Sequence, residues 1–209
     1  MQERGLGSSS ERLWALIGKR TESGADTAAI DRRIRELFGE EWAVMFTDLA
    51  GFSRRVEEFG IIHFLQVIYE HKKLLFPLIE AHDGVLVKAE GDSLLLLFRT
   101  MRSALDCAVA MQRACKNVSA RRKPEEQILL CVGIGFGELL RIGDEDVWGR
   151  ELNAASKLGE DLAGAGEILL TGAARERLAD ETTTEYSFER LDDEVPGSPE
   201  NFMVVYGAS

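Results

Sequence analysis

The stretch Trp42-Ala-Val-Met-Phe-Thr-Asp-Leu-Ala-Gly51 decides the fold class. Its first six residues predict a buried strand, because apolar and β-branched side chains follow one another without a break. Asp48 then closes the strand, and a helical stretch follows from about residue 52 to 82, with Gly60 and Pro77 as the expected breaks. The Asp48 carboxylate would stand beside the free N–H groups of a helix start, which suits a metal ion next to a phosphate.

A second acidic residue is expected at the same end of the sheet. Residues 85–88 and 93–98 are short apolar runs on either side of the tip Glu90-Gly-Asp92, and they predict a β-hairpin. If this hairpin pairs with the first strand, its tip brings Asp92 next to Asp48. Two converging carboxylates can hold two Mg²⁺ ions, typically about 3.5–4 Å apart. Each aspartate also has a simpler interpretation, as a turn former or a helix cap.

The order of the elements predicts an α+β fold with a ferredoxin-like βαββαβ core and additions at its carboxyl end. A helix over about residues 101–118 and a strand over residues 127–136 complete that core. Residues 138–142 are expected to return beside this strand as its hairpin partner. A helix, a strand, a helix and two strands are expected at residues 150–162, 167–170, 173–178, 186–191 and 202–206.

Residues 1–38 differ from the rest of the chain in their sequence pattern. Two amphipathic helices are expected there, one capped by a serine among residues 8–10 and one by Asp26 or Thr27. Helices this short cannot bury their own apolar stripe, so they should pack on the main domain or on a second copy of the chain. We therefore divide the chain into a helical docking or dimerisation segment, residues 1–38, and one main domain, residues 39–209.

The composition excludes several classes of protein. With 45% hydrophobic and 29% charged residues among 209, the chain can bury one sizeable core. Its formal net charge of −11 repels the phosphates of nucleic acids, so no nucleic acid partner is expected. No apolar stretch reaches the roughly 18 residues of a membrane span, and we expect a cytoplasmic protein. The three cysteines are expected to be buried thiols and the three histidines to be structural.

Several segments resemble one known family in order and character. The segment Phe46-Thr-Asp-Leu-Ala-Gly-Phe-Ser53 resembles the first metal motif of the class III adenylate and guanylate cyclases, and Lys88-Ala-Glu-Gly-Asp92 resembles their second. The resemblance continues through Val132-Gly-Ile-Gly-Phe-Gly137, Asp146-Val-Trp-Gly149 and Asn153-Ala-Ala-Ser-Lys157. Ordered motifs across one domain are far more specific than any one of them. Residues 39–209 are therefore expected to form a nucleotide cyclase catalytic domain.

This resemblance implies roles for the residues at the metal end. Asp48 and Asp92 would be metal ligands, and the carbonyl of Leu49 would be a further one. The implied cofactors are two Mg²⁺ or Mn²⁺ ions. Gly51 and Phe52 would contribute to substrate binding at the helix start.

The resemblance also implies that a second subunit supplies the other half of each site, so a homodimer is expected. The base-recognising pair falls on Lys88 and Asp146, and the transition-state pair falls on Asn153 and Lys157. Lys88 can donate to adenine N1 and Asp146 can accept from the 6-amino group, whereas guanine presents the reverse pattern. The implied activity is an adenylate cyclase that converts ATP to cyclic 3′,5′-AMP and pyrophosphate by two-metal catalysis.

Two departures from the family pattern favour an alternative, a catalytically weak or inactive nucleotide-binding module. Lys157 stands where the family usually has an arginine, so the charge is kept and the bidentate fork is lost. Lys157 can equally be a surface lysine beside Glu160. Residues 192–200 contain no lysine or arginine where the family often has a cation for the triphosphate tail. Either Arg141 or Arg150 takes that role, or the tail is bound weakly.

Overall fold

A computed structural model describes residues 8–180 and 186–207, without the side chains of residues 52–55 and 180. The helices are α1 (Ser9–Arg20), α2 (Thr27–Phe38), α3 (Phe52–Phe59), α4 (Ile61–Ala81), α5 (Met101–Ser119), α6 (Arg150–Lys157) and α7 (Gly172–Asp180). The strands are β1 (Gly39–Leu49), β2 (Val85–Glu90), β3 (Ser93–Phe98), β4 (Leu130–Ile142), β5 (Asp146–Trp148), β6 (Ile168–Thr171), β7 (Ser187–Arg190) and β8 (Asn201–Val205). A π-helical turn, Leu158–Leu162, continues α6.

One sheet organises the domain, in the strand order β2-β3-β1-β4-β6-β8-β7, with β5 paired to β4. β1 is antiparallel to both β3 and β4, and β4 is parallel to β6. The order β2-β3-β1-β4, with α3 and α4 and then α5 as the connections, is the ferredoxin-like core that the sequence predicts. The α+β fold class is therefore confirmed.

The alternation of side chains along β1 separates two packed layers. Ala43 and Met45 point into the main core with α4 and α5. Trp42 and Val44 point to the other face, where they pack with residues of β5 and α6. Asp48 shares this second face by alternation, so the site lies on the side of the sheet that α6 and the β4–β5 hairpin cover only in part.

The N-terminal helices pack on the main domain. Ser8 caps α1 in a capping box with Glu11, and Asp26 caps α2. Their apolar faces form a cluster around Ile34 and Phe38 that includes Ile142, at the far end of β4. Residues 1–7 lie outside the described residues, and the docking or dimerisation role of this segment stays a prediction.

The structure corrects two expectations about element boundaries. Pro77 does not break α4, because Leu75 and Ile79 on either side of it are buried in the core and hold the helix despite one lost hydrogen bond. Residues 138–142 are not a hairpin partner but the last part of β4, whose residues 130–140 pair with the whole of β1. The hairpin partner is β5.

All three cysteines are buried, as expected. Burial raises the pKa of the Cys107 and Cys115 thiols to about 12. None of the helices in residues 8–180 and 186–207 combines the length and the apolar character that a membrane span needs.

Candidate active site

The two predicted metal ligands converge at one end of the sheet. Asp48 is the last residue but one of β1, and its Oδ1 accepts a hydrogen bond of 3.2 Å from the hydroxyl of Ser93 at the start of β3. Asp92 lies in the tight turn between β2 and β3, where Gly91 has a φ of 56°. The hairpin thus carries Asp92 to the Asp48 end of β1, as its predicted pairing requires.

Asp92 is an unusual carboxylate because it is 8% exposed and its Oδ2 makes no hydrogen bond to the residues that the structure describes. Burial, and after it the negative charge of Asp48, raises the pKa of Asp92 to about 7. A buried, unpaired carboxylate oxygen beside a second carboxylate is costly unless a cation compensates it. This orphaned oxygen fits a divalent metal ion.

The donor set at this end also fits a hard cation. Within the described part of the chain, no three His, Cys, Asp or Glu side chains form a metal cluster. Proteins usually hold Mg²⁺ by one or two carboxylates together with substrate phosphates and water, and not by a site made of protein ligands alone. Two carboxylates and a backbone carbonyl, such as that of Leu49, match this arrangement. Their roles as ligands stay a prediction.

The loop after Asp48 turns sharply into α3. Gly51 has a φ of 77°, in the left-handed region that favours glycine, and α3 begins at Phe52. The Ala50 N–H donates to the Leu129 carbonyl at 2.8 Å, which fixes the loop to the chain just before β4. The first N–H groups of a helix have no partner within it, so this turn can bind phosphate oxygens. The side chain of Phe52 lies outside the described residues.

The predicted base-recognising residues meet within one chain. Lys88 Nζ lies 2.9 Å from Asp146 Oδ1, and the two side chains are 38% and 30% exposed. Two local features bring them together, an irregularity in β2 between Leu86 and Lys88 and the return of β5 along β4. Asp146 is the first residue of β5. The pair is accessible to a ligand and already has a donor beside an acceptor.

Asn153 and Lys157 lie on the exposed side of α6. Lys157 Nζ lies 2.7 Å from Asp161 Oδ2, in the π-helical turn, so Asp161 is its ion-pair partner. Glu160 instead accepts a hydrogen bond from Ser156. No hydrogen bond or ion pair within the described part of the chain joins Asn153 or Lys157 to the aspartate pair or to Lys88 and Asp146. One chain therefore holds three separate groups of candidate site residues.

Residues 38–206 match the adenylate and guanylate cyclase catalytic domain. The chain belongs to this family. It is 30% identical to an adenylate cyclase of Streptomyces coelicolor over 168 residues, which are 80% of this chain and 40% of that relative. It is 33% identical over 130 residues to the serine/threonine-protein kinase pkn2 of Myxococcus xanthus, covering 62% of this chain and 15% of the kinase. The cyclase domain thus spans less than half the length of these curated relatives.

Solved structures of cyclases share the fold. An adenylate/guanylate cyclase/hydrolase from Silicibacter pomeroyi superposes with a TM-score of 0.68 at 24% identity, covering 81% of this chain and 98% of that one. The adenylyl cyclase CyaB from P. aeruginosa superposes with a TM-score of 0.67 at 20% identity, covering 81% and 96%. At these identities the likeness supports the fold alone.

Close packing and a buried hydrogen bond hold α6 against the sheet of the cyclase domain, and the sequence analysis did not predict either. A Cβ on Gly133 would lie 2.1 Å from the Ala155 carbonyl, and one on Gly135 would lie 2.7 Å from the Glu151 carbonyl, so the helix rests directly on β4. Glu151 is 4% exposed and accepts a 2.7 Å hydrogen bond from the buried Thr171 hydroxyl. The alternating glycines at residues 133, 135 and 137 were the available signal, because they indicate close approach of another backbone.

Proposed function

We propose that this chain is an adenylate cyclase, which converts ATP to cyclic 3′,5′-AMP and pyrophosphate at sites shared by two copies. The observation that carries the proposal is the buried, unpaired Oδ2 of Asp92 beside Asp48. Such a pair is suited to binding divalent cations next to phosphate, which is what this family's reaction requires. The relatives named adenylate cyclase support the same reaction.

The preference for adenine rests on the ion pair of Lys88 and Asp146. The two side chains hold each other in place at 2.9 Å, so a donor and an acceptor are presented side by side. Lys88 would donate to adenine N1, and Asp146 would accept from the 6-amino group. Guanine carries a donor at N1 and an acceptor at position 6, so both contacts would be lost. The similar guanylyl cyclase structures make this choice of base a question for experiment.

In the proposed reaction, the ribose 3′-hydroxyl attacks the α-phosphorus in line and pyrophosphate leaves. Divalent cations bound by Asp48 and Asp92 would lower the pKa of the hydroxyl and neutralise phosphate charge. Asn153 would orient the ribose, and Lys157 would place a positive charge on the α-phosphate. The N–H groups at the start of α3 would bind phosphate oxygens. The chain thus contributes orientation and charge more than covalent chemistry.

A homodimer would complete each site. The metal half and the base half are both present in the chain but make no polar contact with one another within the described residues. A twofold dimer would therefore bring together two equivalent composite sites. Trp148, two residues after Asp146, is 52% exposed and offers apolar surface for such a contact.

The second candidate is a nucleotide-binding module without turnover. It is favoured by Lys157, which replaces a bidentate arginine and already has Asp161 as a partner at 2.7 Å. Such a module would bind ATP with metal and leave it unchanged. The two candidates differ only in whether cyclic AMP is formed.

The test is to incubate the purified chain with ATP or GTP and Mn²⁺ or Mg²⁺ and to measure cyclic nucleotides. We expect cyclic AMP from ATP, its loss in Asp92→Asn, and unchanged product in Asp144→Asn, a control acid that is 91% exposed. Binding of ATP without product would favour the second candidate. An Asp92→Asn variant as active as the original chain would contradict the metal site.

A further inference from the structure

Three polar residues form one exposed stripe on α6. Arg150, Asn153 and Lys157 are spaced at i, i+3 and i+7, which places them on one face of a helix. At a rise of about 1.5 Å per residue, the arginine lies about 4.5 Å before the asparagine along the axis, and the lysine about 6 Å after it. The proposed ribose-binding residue therefore has a cation on each side, and the arginine has no role so far.

The aliphatic part of the Arg150 side chain is packed, whereas its guanidinium is largely exposed. A Cβ on Gly197 would lie 2.7 Å from Arg150 Cγ, so the loop between β7 and β8 packs against the aliphatic part of the side chain. The guanidinium makes one long contact, 3.4 Å from Nη2 to Oε1 of the buried Glu151, and the side chain is 73% exposed. Most of its five N–H groups therefore remain available to a ligand within the described structure.

The neighbouring loop supplies no positive charge of its own. Residues 191–200 contain four acidic residues and no lysine or arginine. Arg190, at the end of β7, is paired with Glu200 at 2.9 Å. A phosphate approaching this loop would be repelled unless another element supplied a cation, and Arg150 reaches the loop from α6.

The other arginine that the sequence left open is already occupied. Arg141 is 18% exposed, donates to Asp144 at 2.7 Å and to the Gly143 carbonyl at 3.1 Å, and lies over the Trp42 ring. In the sheet it pairs with Val147, next to Asp146, but its guanidinium is already engaged by these partners. Arg141 is therefore a structural residue.

We infer that Arg150 binds the β- and γ-phosphates of the substrate and the pyrophosphate product, in place of a cation on the loop between β7 and β8. The inference rests on the proposed function and deepens it. The planar fork of an arginine can bind two phosphate oxygens at once, which a lysine cannot. One helix, α6, would then carry the contacts to the ribose, the α-phosphate and the tail.

The experiment compares Arg150→Gln, Arg150→Lys and the control Arg190→Gln, which removes the same charge beside the same loop. We measure the KM for ATP, inhibition by inorganic pyrophosphate, and calorimetric binding of pyrophosphate and of AMP with Mg²⁺. In Arg150→Gln, the KM and the inhibition constant of pyrophosphate should each rise at least about tenfold, because charge-assisted hydrogen bonds are lost. AMP binding should stay within about twofold, and lysine should restore part of the loss.

The outcomes separate this inference from the proposed function. If the chain makes cyclic AMP and Arg150→Gln has the same KM and pyrophosphate inhibition as Arg190→Gln, the inference is overturned and the proposed function stands. Equal losses of AMP and pyrophosphate binding also overturn it, because they indicate a displaced helix. A chain that makes no cyclic AMP but loses pyrophosphate binding in Arg150→Gln supports the inference and contradicts the catalytic proposal. A chain that binds neither ATP nor pyrophosphate contradicts both.

Discussion

Replacing His71 by leucine should stabilise the fold, and the gain should grow as the pH falls. His71 is 0% exposed in α4, and neither ring nitrogen makes a hydrogen bond to the described residues. Its neighbours on the same helix face, Ile68 and Leu75, belong to the main core. A buried polar group without a partner costs about 1–3 kcal/mol, so leucine, of similar volume, should recover an amount of this order at neutral pH.

The pH dependence follows from the pKa of His71. Burial, and then the charge of Lys72, lowers this pKa from 6.5 to about 4. The unfolded chain takes up the proton below pH 6.5, whereas the folded chain does so only near pH 4, so the folded state loses stability as the pH falls through this window. Between pH 7.5 and pH 5 the loss from His71 alone is about 2 kcal/mol. His71→Leu removes this loss.

Urea unfolding at pH 7.5 and pH 5, followed by circular dichroism, measures the effect. The difference in unfolding free energy between His71→Leu and the original chain should increase by about 2 kcal/mol at the lower pH, because other titrating groups cancel in the difference. His71→Gln is the matched control, since it removes the titration but keeps a buried polar group. A difference that is the same at both pH values would refute the reasoning.

Three further predictions concern the site and its support. Gly133→Ala should lower the free energy of unfolding by more than about 3 kcal/mol, or prevent folding, because the new Cβ would overlap the backbone of α6. The control Gly18→Ala, where nothing lies within 4 Å of the new Cβ, should raise the free energy of unfolding by up to about 1 kcal/mol. Thermal or urea unfolding measures both. The double exchange Lys88→Glu with Asp146→Lys should shift the ratio of GTP to ATP turnover by at least about tenfold, since it reverses donor and acceptor; an unchanged ratio would contradict the assigned base contacts. Asp161→Asn should change the KM for ATP by no more than about twofold, because an exposed ion pair is worth little; a larger change would show that this pair controls the lysine.

The metal end could be predicted from the sequence because its signals are local. A strand that ends in an aspartate and a hairpin tip that carries another are brought together once the two strands pair, so pattern and topology predict that Asp48 and Asp92 lie close to each other. Their role as metal ligands is implied by the family resemblance. The long pairing of β1 with β4 is a tertiary effect, and it is why the strand continued through residues 138–142 against expectation. Pro77 likewise stays inside α4 because the core holds both of its flanks.

The support of the site could not be predicted in the same way. Lys88 and Asp146 are far apart in the sequence, and they meet only because β5 folds back along β4. The partner of Lys157 depends on the π-helical turn, which no local propensity indicated. Glu151 reads as an ordinary helix-surface acid until its contact with Thr171 is known.

The two departures from the family pattern have a common structural explanation in α6. If Arg150 replaces the missing tail cation, the number of positive charges around the triphosphate is kept, and both of them now lie on the same face of one helix with Asn153. Cations on two separate elements can move independently, whereas cations on one helix move together with it. The position of α6 would then control binding of the ribose and of the phosphates at once. This is the reason why the buried hydrogen bond between Glu151 and Thr171, and the direct contact of the helix with β4, bear on activity and not only on stability.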